Sequence, residues 1–116
     1  MKYGFIGTGN MGGALAQAVC RAVPPEEVLL CNRTEEKALR LARALGCHTG
    51  TAEAAARCRY VFLGVKPQGM ADLLTELRPI LEENREVVLV SMAAGISMAQ
   101  LCQLAGREVP VMRLMP

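Results

Sequence analysis

Apolar residues fall into two alternating arrangements along the chain: short unbroken runs, and longer stretches in which they recur every three or four positions. The runs predict strands, at Tyr3, Phe5 and Ile6, at Val28 to Cys31, around Cys47 and His48, at Tyr60 to Val65, at Val87 to Val90 and at Val109 to Leu114. Tyr60 to Val65 has the continuous apolar character of a strand buried on both faces of a parallel sheet. The spaced stretches predict helices. Ala14, Leu15, Ala18, Val19 and Ala22 form one stripe, Ala38, Leu41, Ala42 and Leu45 a second, and Leu73, Leu74, Leu77, Ile80 and Leu81 a third, within a helix over Gln68 to Glu83.

The punctuation between these segments is chemical. Pro24 and Pro25 stop the first helix; Thr34 is placed to cap the second, whose first turn carries Glu35 and Glu36, and Gly46 closes it. Thr51 is a second N-cap, before Ala52 to Ala56. Lys66-Pro67 ends the fourth strand, because proline cannot extend the ladder, and Pro79 should kink or restart the helix it interrupts. Ser97 followed by Gln100 is a capping-box pattern opening a helix through Leu104, closed by Gly106, and Pro110 points to an edge position for the last strand.

Strict alternation of strand and helix, without a long linker or repeat, implies an α/β chain. The expected architecture is a Rossmann-like doubly wound parallel sheet, strand order 3-2-1-4-5-6, in a single domain. In such a sheet a ligand lies beyond the carboxyl ends of the strands, in the crevice where strands 1 and 4 diverge.

A length of 116 residues supports one domain with a real core and not two. The net charge of +2, with two Phe, two Tyr and no Trp, gives neither the electrostatics nor the stacking surface that nucleic acid needs. Cys20, Cys31, Cys47, Cys58 and Cys102 are scattered without a C-x-x-C pair, so they read as small buried hydrophobes of a reduced, cytoplasmic protein, with no metal site expected. His48 reads as an ordinary strand residue. With Met1-Lys2 leading directly into the first strand no signal peptide is expected, and no apolar run reaches the length of a membrane span.

The chemistry starts at Gly7-Thr8-Gly9-Asn10-Met11-Gly12, a G-x-G-x-x-G between a strand and a helix. Gly7 permits a tight turn, Gly9 lets a pyrophosphate approach bare backbone, and Gly12 lets the helix sit close to the strand. Free amides at the helix N-terminus would face the phosphates. At the end of the second strand, where an acidic residue would bind a free ribose 2′-hydroxyl, the chain has Asn32, Arg33 and Thr34. A guanidinium there can bind a 2′-phosphate that a carboxylate would repel, so NADP(H) is expected over NAD(H). Val65-Lys66-Pro67 and Ala93-Ala94-Gly95 lie across the crevice, where the nicotinamide half should rest; Lys66 also reads as a solvated lysine at a strand end.

Taken together, residues 4–12, Cys31-Asn32-Arg33-Thr34, Gly64-Val65-Lys66-Pro67-Gln68, Ser91 to Ile96 and Arg113-Leu114-Met115-Pro116 resemble pyrroline-5-carboxylate reductase over the whole chain. The resemblance implies NAD(P)H-dependent reduction of 1-pyrroline-5-carboxylate to L-proline, in proline biosynthesis. It implies that the glycine loop, Ile6 to Gly12, binds the pyrophosphate and that Asn32, Arg33 and Thr34 surround the adenosine ribose and its phosphate. Thr51 would reach the adenine side, and Val65, Lys66, Pro67, Ala93 and Ala94 would flank the nicotinamide.

By the family pattern a helical domain follows, which dimerises and supplies most of the substrate pocket. Residues 1–116 are therefore expected to be an NADP-binding domain without that C-terminal partner, inactive alone, with substrate-binding and catalytic residues unassigned. The uncovered last strand is expected to favour self-association. Two other readings stay open: another NADP-dependent reductase, of the β-hydroxyacid dehydrogenase or coenzyme-F420 type, and a non-catalytic, regulatory homologue such as a competence-associated protein.

Overall fold

The computed structural model describes residues 2–7, 10–92 and 96–114, with residues 10–12 as backbone. In chain order the elements are β1 (Tyr3–Ile6), α1 (Asn10–Ala22), a 3-10 turn (Pro25–Glu27), β2 (Val28–Cys31), α2 (Glu35–Leu45), β3 (His48–Thr49), α3 (Ala52–Ala56), β4 (Tyr60–Leu63), α4 (Pro67–Glu83), β5 (Val88–Ser91), α5 (Met98–Ala105) and β6 (Val111–Arg113). The strands pair in parallel, in the order β3-β2-β1-β4-β5-β6, as the alternation predicts.

Register divides the side chains between two cores. Phe5 is level with Leu30 and Phe62, so these three share a face with Val28 and Val90, covered by Ala16 of α1 and by Ala38 and Ala42 of α2. The rings of Phe5 and Phe62 stack with centroids 4.2 Å apart. Ile6, Leu29, Val61, Leu63 and Leu89 point the other way, onto α3, α4 and α5 through Ala55, Met70, Leu74, Leu77, Leu81 and Leu101. Both faces of β1 and β4 are thus buried, which is why they read as unbroken apolar runs rather than alternating ones.

Several predicted details shift. In α1 the inward stripe is Leu15, Ala16, Val19 and Cys20, with Val23 beyond the helix, whereas Ala14, Ala18 and Ala22 are exposed. β4 ends at Leu63, two residues short of the expected Val65, and the fifth strand is Val88–Ser91 because Val87 closes a turn onto the carbonyl of Asn84. Pro79 neither restarts nor ends α4, which is one helix of 17 residues. Pro79 and Thr75 are both exposed, so the carbonyl that loses its partner lies on the watery side, where solvent can replace the bond. The last strand shortens to three residues at the edge of the sheet, where Pro110 contributes only its carbonyl, to the amide of Leu89 at 2.9 Å. Met112, on that edge, is 52% exposed.

The caps are mostly where the sequence puts them. Thr51 Oγ1 accepts the Ala54 amide at 3.1 Å, while Thr34 sits at the N-cap of α2 with no side-chain cap bond. At α5 both halves of the capping box form: the Gln100 amide donates to Ser97 Oγ at 3.1 Å and the Ser97 amide to Gln100 Oε1 at 2.8 Å. Since α5 has only eight residues, its first turn depends on this pair. Ser97→Ala is expected to cost about 1 kcal/mol, read as a lower urea midpoint at unchanged slope.

Candidate functional site

The helix after β1 covers one face of the sheet and the helix after β4 covers the other, so the chain parts at the carboxyl ends of these two strands. There the backbones pinch together. The Gly7 amide donates to the Cys31 carbonyl and the Gly64 amide to the Ile6 carbonyl, both at 2.8 Å, and the Met92 amide donates to the Leu63 carbonyl at 3.3 Å. Gly7 has φ +90, and a Cβ built on Gly64 would lie 2.5 Å from the Gly7 carbonyl oxygen. The floor of the crevice is therefore bare backbone, as close approach by a diphosphate requires. α1 opens at Asn10, just beyond this floor, with no acidic residue in its first turn to oppose an anion.

Beyond β2 and β3 lies a groove of about 380 Å³ lined by Cys31, Asn32, Arg33, Glu35, Ala38, Thr49, Gly50 and Thr51. The fold thus brings Thr51 to the same concavity as Asn32 and Arg33. Asn32 is half-buried and donates from Nδ2 to the Thr34 carbonyl at 3.2 Å, holding the turn that presents Arg33. Arg33 is exposed, and among the described residues its guanidinium forms neither ion pair nor side-chain hydrogen bond. Thr51 is occupied as the α3 cap. Burial, and then the nearby Glu53 carboxylate, push the Cys31 thiol above its usual range, so it meets the groove as a neutral group and not as a nucleophile.

Val65 packs on the core, while Lys66 and Pro67 open α4, with Lys66 exposed at the N-cap and making no side-chain cap bond. Ile6 is 4% exposed, so its carbonyl, already bonded to Gly64, and not its side chain, reaches the crevice floor. Asn10, Met11 and Gly12 form the start of α1. Thr8, Gly9, Ala93, Ala94 and Gly95 lie outside the described residues.

Glu35, Thr49 and Gly50 are groove residues that the sequence reading did not single out. Thr49 and Gly50 follow from the carboxyl-end rule once β3 is taken as ending there. Glu35 has no such signal, because an acid in a first helical turn is already explained by the helix dipole. Its carboxylate places negative charge two residues from Arg33. Among the described residues no helix is long and apolar enough to cross a membrane.

Residues 2–95 match the family described as NADP oxidoreductase, coenzyme F420-dependent. Curated relatives include a pyrroline-5-carboxylate reductase of Corynebacterium melassecola, 37% identical over 96% of this chain and 43% of the relative. Another is pyrroline-5-carboxylate reductase 3 of Rattus norvegicus, 35% identical over 99% of this chain and 42% of the relative. The chain therefore spans about two fifths of the length of the curated relatives it matches. Among solved structures, a pyrroline-5-carboxylate reductase from Coxiella burnetii superposes with TM-score 0.89 at 25% identity, over 97% of this chain and 42% of the other. A Plasmodium falciparum pyrroline carboxylate reductase, solved with NADP bound, gives TM-score 0.81 at 25% identity over 100% of this chain and 42% of the other.

Proposed function

The chain belongs to the family described as NADP oxidoreductase, coenzyme F420-dependent, and shares its whole length with pyrroline-5-carboxylate reductases, and on that premise we propose that it is the NADP(H)-binding part of such a reductase. The substrate is 1-pyrroline-5-carboxylate and the product L-proline, made in the cytoplasm by a homo-oligomer. The observation that carries this reading is the groove beyond β2, where Arg33, with no ion pair among the described residues, lines one concavity with Asn32 and Thr51 next to a floor of bare backbone.

Each residue has a part. Gly7 and the first turn of α1 accept the diphosphate, with Gly64 keeping the opposite wall low. Asn32, Arg33 and Thr34 take the adenosine ribose and its 2′-phosphate, Thr51 the adenine side, and Val65, Lys66 and Pro67, with Ala93 and Ala94, the nicotinamide half. The reduced nicotinamide supplies hydride to the imine carbon. The protein's contribution is to fix the direction of transfer and to exclude water. The groups that hold the substrate carboxylate belong, in this proposal, to the part of the relatives' length that this chain does not span.

Titration of the chain with NADPH and with NADH, followed by nicotinamide fluorescence, is expected to show saturable binding of both with NADPH the tighter. The 116 residues alone are expected to form no proline from pyrroline carboxylate. Equal affinity for the two dinucleotides overturns the role given to Arg33, and turnover by the chain alone overturns the division of labour.

A further inference from the structure

We propose that Gly4, in the middle of β1, is a positioning residue for the adenine side of the groove, acting through α3. The inference rests on the cofactor reading above, in which Thr51 meets the adenine side. Glycine weakens a strand interior, and its usual reason for standing there is another backbone that must come close. Gly4 lies between Leu29 of β2 and Val61 of β4, and a Cβ built on it would fall 2.5 Å from the Ala55 carbonyl oxygen and 2.9 Å from the Ala55 Cα. Both atoms are backbone, so no change of rotamer relieves the clash. α3 lies directly on β1, with Ala55 completely buried, because position 4 carries no side chain.

α3 has five residues, little more than one turn, so it has no length in which to absorb a displacement. Its N-terminal end borders the groove. Gly50 and Thr51 line that concavity, Thr51 Oγ1 accepts the Ala54 amide at 3.1 Å, and the Thr51 carbonyl accepts the Ala55 amide at 3.0 Å. The residue that rests on Gly4 is therefore bonded directly to the residue that lines the groove. The C-terminal end of α3 is held at the opposite end of the sheet, where Asn84, just beyond α4, donates from Nδ2 to the carbonyls of Ala56 and Cys58, both at 2.8 Å. Cys58 adds a bond from Sγ to the Ala54 carbonyl at 3.7 Å. A methyl group at position 4 would lift Ala55 off β1, and with the far end of α3 held, the movement passes to Thr51.

The test is NADPH affinity by nicotinamide fluorescence, at a temperature where circular dichroism shows every variant folded. Gly4→Ala and, from the opposite end of the sheet, Asn84→Ala are expected to weaken NADPH binding roughly three- to tenfold, about the loss of one neutral hydrogen bond. Thr51→Val should weaken it similarly, and Gly4→Ala should add little in that background, because both changes act on one contact. Gly106→Ala is the control: it forces a side chain into φ +85 against Arg78 and lowers stability, yet it lies at the C-cap of α5 and should bind NADPH as the parent does. If Gly4→Ala does not fold, Asn84→Ala, alone and with Thr51→Val, carries the test. A parent chain that does not bind NADPH removes the cofactor reading and this inference with it, and Thr51→Val at the parent's affinity removes both the adenine-side placement and the inference. A parent that binds, with Thr51→Val weakened and Gly4→Ala and Asn84→Ala unchanged, overturns the inference alone. So do losses at Gly4 and Thr51 that simply add, or a loss in Gly106→Ala as large as that in Gly4→Ala.

Discussion

Gly64→Ala is expected to lower the stability of the chain by about 2 to 3 kcal/mol, while the same substitution at Gly69 raises it by roughly 0.5 to 1 kcal/mol. The two glycines lie five positions apart and differ only in what surrounds them. A Cβ on Gly64 would meet the carbonyl oxygen of Gly7 at 2.5 Å and Met92 Cε at 3.1 Å. The methionine can turn aside, but the carbonyl cannot, because the Gly7 amide is held to Cys31 and the Gly64 amide to Ile6, each at 2.8 Å. Room for a methyl group must therefore come from spreading β1 and β4 at the centre of the sheet. Gly69 sits in α4, and nothing lies within 4 Å of its added Cβ. There alanine simply removes backbone freedom from the unfolded chain and improves helix propensity. Urea denaturation of both variants should give midpoints displaced in opposite directions. A Gly64→Ala variant as stable as the parent would mean that the two strands are not pinched at the switch point, and the bare floor assigned to the diphosphate would lose its basis.

Gly64 illustrates what was legible in the sequence and what was not. The order of elements could be read because strands buried on both faces, such as Tyr60–Leu63, cannot avoid being apolar throughout, and because Gly46, Ser97 with Gln100, and Gly106 mark helix ends by specific bonds or dihedrals. The strand order followed from alternation and handedness together with the dinucleotide-binding pattern after the first strand, which points to 3-2-1-4-5-6 among doubly wound orders. Details that depend on distance between elements could not be read. In α1 the alanines fit either side of a helix, and only the closeness of α1 to the sheet selects Ala16, whose small side chain fits there completely buried. Periodicity in an alanine-rich segment carries little information about which face is turned inward. In the same way Gly64 looked like the tail of a strand until its neighbour Gly7 was in place. The groove was legible at the end of β2, through Asn32 and Arg33, while Thr51 came to it through the family resemblance. Glu35 was hidden by having an adequate local reason to be acidic.

Arg33→Ala is expected to weaken NADPH binding roughly tenfold or more and to leave NADH binding almost unchanged, reversing the preference between them. A hydrogen bond to a charged group contributes about 1.5 to 3 kcal/mol, and about 1.4 kcal/mol is a factor of ten in affinity. Arg33 is exposed, so solvent and salt screen it and the lower end of that range applies. NADH has no 2′-phosphate and should not register the loss. Glu35 sharpens the test, because this acidic residue lines the same groove. With the guanidinium gone, the remaining charge repels the 2′-phosphate, so Arg33→Ala should favour NADH outright, and adding Glu35→Gln should bring the two affinities back together. Arg33→Lys should recover part of the preference, since a point charge replaces a planar fork. Raising salt should shrink the NADPH advantage in the parent chain and leave NADH affinity nearly flat. If Arg33→Ala weakened both dinucleotides equally, the residue would be supporting the turn after β2 rather than reading the phosphate; if it changed neither, the phosphate would be recognised elsewhere in the groove.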